Sequence, residues 1–462
     1  MKKKQEISIR MKKNRIGGIM TESQYYDIRT IGSTGLTISL DNGKPEISRH
    51  DGKGTGIRSL CSGSWGYTSI DGEGDVRKGI ADASALAEAM DRKTPRDKVR
   101  LSPQVSEKTR NDLPRIEEDP DDIALEDKIA YLKEIEKAVK QEGISGTRVV
   151  YSEGRSHIVF ENSEGIRKEY EIVRTGYVVS AIASDGADIQ AGYQSHHNIA
   201  GYEIFRKYDP FEAAAKAVAD ARELLKAKTP KGGTMKVILD PELAGVFTHE
   251  AVGHASEADL VLQGDSILFD RPGKQVAPGN VTIIDDPTLH EYGYFPFDAE
   301  GTDSGRTVLV ENGIMTSFLH SRETAGKLGG EPGHARAQGY SLPHVRMSNT
   351  FIDRGDASFE EMLEDVRDGI YLIGSRGGQV NTGQGIFQFN AEKGYIVKDG
   401  KIGEAVRDVS LSGKTLEILQ NISLVGKDVR LTAGYCGKFG QTVPVTDGAP
   451  HITVSKATVG GQ

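Results

Sequence analysis

Cysteine is almost missing from this chain. Cys61 and Cys436 are the two in 462 residues. Their wide separation excludes a disulfide framework, and so small a complement favours a reducing, cytoplasmic setting. Long apolar runs are missing too. No segment approaches the roughly 18–20 apolar residues that cross a bilayer as a helix, so no membrane partner is expected. A basic excess is also lacking: 58 Lys and Arg face 67 Asp and Glu, a net charge of −9. A phosphate-binding surface wants the opposite balance, and a single tryptophan, Trp65, offers little to stacked bases. Nucleic acid is therefore not an expected partner.

One stretch departs from this balance. Residues 1–19 hold seven basic side chains and one acid, which leaves −15 for the rest of the chain. No apolar core follows, so a secretory signal is excluded. The stretch is expected to be a solvated, disordered tail, with Met20 as an alternative start.

Glycine is what the chain has in abundance, 55 residues scattered without a period. That pattern points to many turns and close backbone approaches rather than to collagen or a low-complexity segment. The length suits two to four domains with a core that needs no staples. Helical patterns run over 76–92 and 121–142, the second carrying Ala124, Ile129, Leu132 and Ile135 with Gly143 as a stop. A polar connector, 93–120, separates them. Residues 147–203 alternate and favour β-branched and aromatic side chains, which predicts an antiparallel meander turning at 163–165 and 184–186. Asp209 and Pro210 open a helix that runs to about Lys228, and 229–233 ends it. Beyond lie hairpin signals around Asn312-Gly313 and Asp399-Gly400 and a helix at 358–370. The expected class is α+β. A tail at 1–19 precedes an N-terminal α/β domain with an antiparallel meander, 20–233, and a glycine-rich, strand-rich domain, 234–462. No internal repeat is found.

The chemistry concentrates at 245–259, GVFTHEAVGHASEAD. His249 and His254 are five apart, with Glu250 between them. On a regular α-helix such a pair lies about 140° apart and shares a metal poorly. A single π-type turn brings the two back to one side, and Gly253 eases such a distortion. The spacing thus predicts a distorted helix near the domain boundary. Neutral imidazoles suit zinc, and a catalytic site wants a third protein ligand and an open position. Glu250 can then take a proton from the attacking water. Candidates for the third ligand are Cys436, Glu257 and other histidines. Cys436 lies in the glycine-flanked stretch 434–440, and Glu257 can ligate or orient a ligand from behind. His290, His320, His334 and His344, along with tyrosines, are candidates for an oxyanion donor. Gly377, Gly378 and Gln379, followed by Val380, are a candidate sheet edge against which an extended peptide could pair.

THEAVGHASEAD at 248–259 and GYCGKFGQTVP at 434–444 resemble the TldD/PmbA metalloprotease family, on its TldD side. VENGIM, PHVRMSNTFI, GGQV, NISLVGKD and TVGGQ match in the same order, and GTGIRSLCSGSWGYTS looks like an early segment. The resemblance implies one Zn²⁺ held by His249, His254 and Cys436, with Glu250 as general base. It implies a cytoplasmic peptidase for unfolded or extended peptides, working as a homodimer or as a heterodimer with a related member. The family has inactive members that lack the motif; this chain keeps every element and looks like the active type. Two other readings stand beside it: a zinc hydrolase of a non-peptide amide or ester, and a non-catalytic zinc-binding partner subunit.

Overall fold

The computed structural model describes residues 24–93, 98–104 and 113–461. The expected tail and Met20 lie outside the described residues. The first half is built on one antiparallel sheet. Its strands are β1 (Tyr25–Asp41), β2 (Lys44–Cys61), β3 (Ser64–Asp71), β4 (Ile144–Asn162), β5 (Arg167–Ser184) and β6 (Ile189–Asn198). They lie in the order β3-β2-β1-β4-β5-β6. The expected meander is β4–β6. Strands β1–β3 complete the sheet and have no counterpart in the sequence analysis, which assigns no strand before residue 147.

Helices α1 (Val76–Lys93), α2 (Leu125–Val139), α3 (Ile204–Lys207) and α4 (Pro210–Lys226) accompany this sheet. Asp209 caps α4 as expected, its carboxylate accepting from the Phe211 N–H at 2.8 Å. Helix α2 stops at Val139, and Gly143, at φ +79°, belongs to the following turn. Leu132 and Ile135 of α2 and Ala214 and Val218 of α4 bury their apolar faces against Ile38, Tyr151 and Val179 of the sheet. Each fully buried Ile or Leu of this kind contributes roughly 1.5–3 kcal/mol.

The second half holds two larger sheets and places the candidate site between them. β7 (Gly233–Leu239) runs through the middle of a nine-stranded sheet, parallel to Gly369–Ile373 and antiparallel to Ile452–Gly460. The segment Gly378–Asn381 forms one end of that sheet. A six-stranded sheet ends with Asn349–Ile352, Gln441–Ala449 and Arg430–Lys438. Helix α5 (Pro241–Thr248) packs against strands of both sheets, with Leu243, Ala244 and Phe247 fully buried. Gly245 lets it approach closely, since a Cβ there would press on the backbone of Gly448. The hairpins around Asn312-Gly313 and Asp399-Gly400 form as expected, and the helix expected at 358–370 spans Phe359–Val366. Among the described residues no helix is long and apolar enough to cross a membrane.

Candidate metal centre

Helix α5 starts on a cap and ends on a widened turn. Asp240 accepts from the Leu243 N–H at 2.9 Å, and Pro241 takes the first position. At its far end the chain forms a π turn over His249–Gly253, and the His254 N–H donates to the His249 carbonyl. This is the distortion that the i, i+5 spacing requires. Gly253 keeps ordinary helical angles there. Its role is room rather than freedom: a Cβ would collide with the Met347 sulfur. At Glu257 the chain leaves helical angles, before α6 (Ala258–Gln263).

Cys436 comes from the edge strand of the six-stranded sheet. It lies on Arg430–Lys438, which turns through Phe439-Gly440 into Gln441–Ala449. One donor atom each from His249, His254 and Cys436 lies within 4.8 Å of the others, and all three residues are buried. Cys436 Sγ is 3.5 Å from His254 Nε2. The two imidazole rings are nearly perpendicular, 5.0 Å apart at their centroids.

Carboxylates fix how both rings are turned. His249 Nδ1 pairs with Asp447 at 2.6 Å, and His254 Nδ1 pairs with Glu257 at 3.0 Å. With each Nδ1 committed, each Nε2 is left as the ligating nitrogen, the arrangement that metal-binding histidines use. Glu257 therefore stands behind His254 and outside the three-donor group. Lys438, two residues beyond Cys436, donates to Glu257 at 2.9 Å, to Asp259 at 2.7 Å and to the Val345 carbonyl at 3.0 Å. Arg346 is fully buried and donates to the carbonyl of Cys436.

The electrostatics follow from this crowding. Burial opposes ionisation of Cys436, but His249 and His254 outweigh it and draw the thiol down to about 5. The thiolate is the form that binds metals. Burial also works against charge on the histidines; Asp447 and the sulfur lift His249 well above its ordinary range, and Glu257 and the sulfur lift His254 to about 10. Burial works against charge on Glu257 too, but His254 and Lys438 hold it at about 2. Glu250 is pushed up from the usual carboxylate range, mainly by burial, with His249 and His254 pulling the other way. Two imidazole nitrogens and a thiolate suit a zinc-like ion, and the residues fit such a group.

The other expected residues lie elsewhere. His320 and His334 are buried, one bonded to Thr324 at 3.1 Å and the other 3.5 Å from Asp285. His290 packs edge-on to Tyr294, and His344 packs against Phe439. None of these four belongs to the three-donor group. Gly378 and Gln379 lie on the end strand of the nine-stranded sheet, which packs against the π turn, and Gly377 leads into it. Sequence reasoning missed Asp447, Lys438, Asp259 and Arg346. Asp259, Arg346 and Lys438 lie within the quoted stretches THEAVGHASEAD, PHVRMSNTFI and GYCGKFGQTVP, but no role is read for them there.

Comparison with known proteins identifies the family and the fold. The PmbA/TldA metallopeptidase C-terminal domain matches residues 232–461, the central domain 118–225 and domain 1 residues 26–90. A metalloprotease of Archaeoglobus fulgidus is 44% identical over 440 residues, covering 95% of this chain and all of the relative. A zinc metalloprotease TldD homolog of Saccharolobus solfataricus is 36% identical over 315 residues, 67% of this chain and 68% of the relative. A crystal structure from Thermotoga maritima, described as a modulator of a DNA gyrase, shares the fold. Its TM-score is 0.79 at 24% identity, over 94% of this chain and 96% of that one. TldE from Thermococcus kodakarensis gives 0.74 at 19%, over 95% and 97%. By sequence along nearly its whole length, the chain belongs to the PmbA/TldD metallopeptidase family.

Proposed function

We propose that this protein is a zinc-dependent peptidase that hydrolyses unfolded or extended peptides. The observation that carries the reading is the convergence of His249, His254 and Cys436 beside Glu250. A bound divalent ion would supply Lewis-acid activation of water and polarise the peptide carbonyl. Asp447 and Glu257 hold the two rings in the ligating orientation. Glu250 accepts the proton of the attacking water and passes it to the departing amine nitrogen. Its raised proton affinity suits that second task, since a base that binds its proton too weakly returns it poorly.

The substrate is held as an added strand. Gly378–Asn381 pairs on one side only, with Ile386–Asn390, and its end of the sheet lies against the π turn. A cavity of about 890 Å³ opens beside it, lined by Gln379, Asn381, Gln388 and Ser412 among others. Main-chain pairing there would depend little on side chains and would require an extended substrate. The reading includes one Zn²⁺ per chain, a boundary between units at 233/234, a cytoplasmic setting and assembly with a second copy or a related member. The two free, separated cysteines support that setting.

Metal analysis together with a peptide assay tests this reading. Glu250→Gln is expected to keep stoichiometric zinc and lose at least a hundredfold in hydrolysis. Cys436→Ser is expected to lose zinc. Undiminished cleavage by the Gln variant sinks the mechanism, and full zinc in the Ser variant sinks the ligand set.

A further inference from the structure

The loop 337–343 joins Ala335–Arg336 to His344–Val345 and touches both halves of the molecule. On one side it lies on the N-terminal sheet. Arg29 donates to the carbonyls of Gly339, at 3.1 Å, and Ser341. Tyr67 donates its hydroxyl to the Tyr340 carbonyl at 2.6 Å, and Tyr340 donates its own to Asp71 at 3.1 Å. The ring and carbonyl of Tyr340 lie directly over Gly54 and Gly56 of β2, where a Cβ at either position would overlap them.

On its other side the loop is tied to the hairpin that carries Cys436. The Gln338 N–H donates to Gln441 Oε1 at 2.9 Å, and the Thr442 N–H donates to Gln338 Oε1 at 2.9 Å. Gln441 Nε2 donates to the Leu342 carbonyl at 2.8 Å. Gln441 and Thr442 are the cross-strand partners of Lys438 and Gly437. The hairpin needs such ties. Among the described residues its neighbouring strand, Asn349–Ile352, pairs with it only at Thr446–Gly448. From Cys436 to Val443 the two strands thus pair only with each other and are held by side chains and the loop. Lys438 and Arg346 anchor the Cys436 strand, and the loop anchors the Gln441 strand. Two-stranded ribbons are marginal by themselves. The imidazoles come from the end of α5, which packs in the same core that buries Cys436.

We propose that loop 337–343 is a positioning strap. Through it the N-terminal sheet, with Tyr340 seated on Gly54 and Gly56, holds Cys436 at its distance from His249 and His254. The proposal rests on the metal-binding reading above. The N-terminal half thus sets how firmly the centre keeps its ion, although it contributes no ligand.

The test uses the full chain loaded with Co²⁺, whose thiolate charge-transfer band reports the cobalt–sulfur bond. Gly56→Ala pushes the strap from its seat, and Tyr340→Ala removes the ring without adding bulk. Gly52→Ala is the control on the same strand, with Ser33 Oγ 4.0 Å away as its nearest neighbour. Gly56→Ala and Tyr340→Ala are expected to weaken the band and to speed cobalt loss to a chelator about five- to tenfold, the low end of usual inter-site couplings. Gly52→Ala is expected to match wild type, with far-ultraviolet circular dichroism the same in all. Release at the wild-type rate from both variants overturns the strap. A wild-type protein without the band overturns the sulfur ligand itself, a different and separately visible failure.

Discussion

The two imidazoles of the centre are supported by unlike surroundings. Behind His254 the structure is sealed. Glu257 has no solvent exposure and accepts from both His254 and Lys438. Lys438 reaches on to Asp259, and the Arg346 Nε lies 4.0 Å from Glu257. Cations and anions alternate there, tightly at Lys438 and more loosely at Arg346. Behind His249 stands Asp447, which is 16% exposed. Near it are Glu250 and Glu242, with Glu392 beyond Glu242, three acids for which no ion pair occurs among the described residues. Matched buried charge makes one flank rigid. Unmatched, half-buried acids make the other able to take up and release protons. In the proposed mechanism the proton transfer through Glu250 belongs on the second flank and depends on the first for its geometry.

The largest expected effect comes from breaking the sealed side. Glu257→Ala removes the carboxylate facing the fully buried Arg346 and leaves Lys438 with Asp259 alone. Leaving buried charges uncompensated costs about 3–5 kcal/mol. Urea unfolding of the metal-free protein should show a loss of that size. Asp447→Asn keeps the shape of its side chain and lies nearer water, so the same measurement should move by less than about 1 kcal/mol. Equal losses in the two variants would erase the distinction between the flanks.

The order reverses for the metal. Asp447→Asn removes the carboxylate that accepts from His249 Nδ1 and orients its ring, while leaving the fold in place. Substitutions behind a ligand weaken metal affinity about 10–100-fold. Competition against a chromophoric chelator should find a drop in that range. An unchanged affinity would mean that the 2.6 Å pair does not tune the ligand.

Much of this centre was legible in the sequence, and the reason is local. The π turn follows from two histidines five apart. The α4 helix, the meander and the end strand at Gly378 also followed from local patterns. What stayed hidden depends on topology. Asp447 lies 198 residues from His249, and no spacing rule spans that gap. Arg346 reads as one more arginine until the fold buries it. β1–β3 were hidden for a different reason. Their stretch is rich in glycine, which reads as turn. Gly54 and Gly56 serve instead to seat Tyr340 from the other half of the chain. A residue placed to admit a distant neighbour says nothing local about why it is there.

The smallest expected effect sharpens the contrast through pH. Burial, then the neighbouring Asp240, pushes Glu242 up to about 7. Burial, then Glu242 and Asp220, pushes Glu392 up to about 8, with Arg376 opposing. Asp447 adds to the rise at Glu242, while Lys216 from α4 opposes it. In the unfolded chain both acids titrate near 4.3. The folded protein therefore binds more protons between about pH 4 and 8, and its stability falls as pH rises through that window. Glu257 has the opposite sign. Its depressed value makes its contribution present above the ordinary range and lost only as pH falls toward 2. The double variant Glu242→Gln/Glu392→Gln should therefore gain on the order of 1 kcal/mol over wild type at pH 8.5 and nothing at pH 4. Thermal unfolding across that series decides it. A gain of the same size at both ends would mean that the amides act through packing, and the open flank would then be no more responsive to protons than the sealed one.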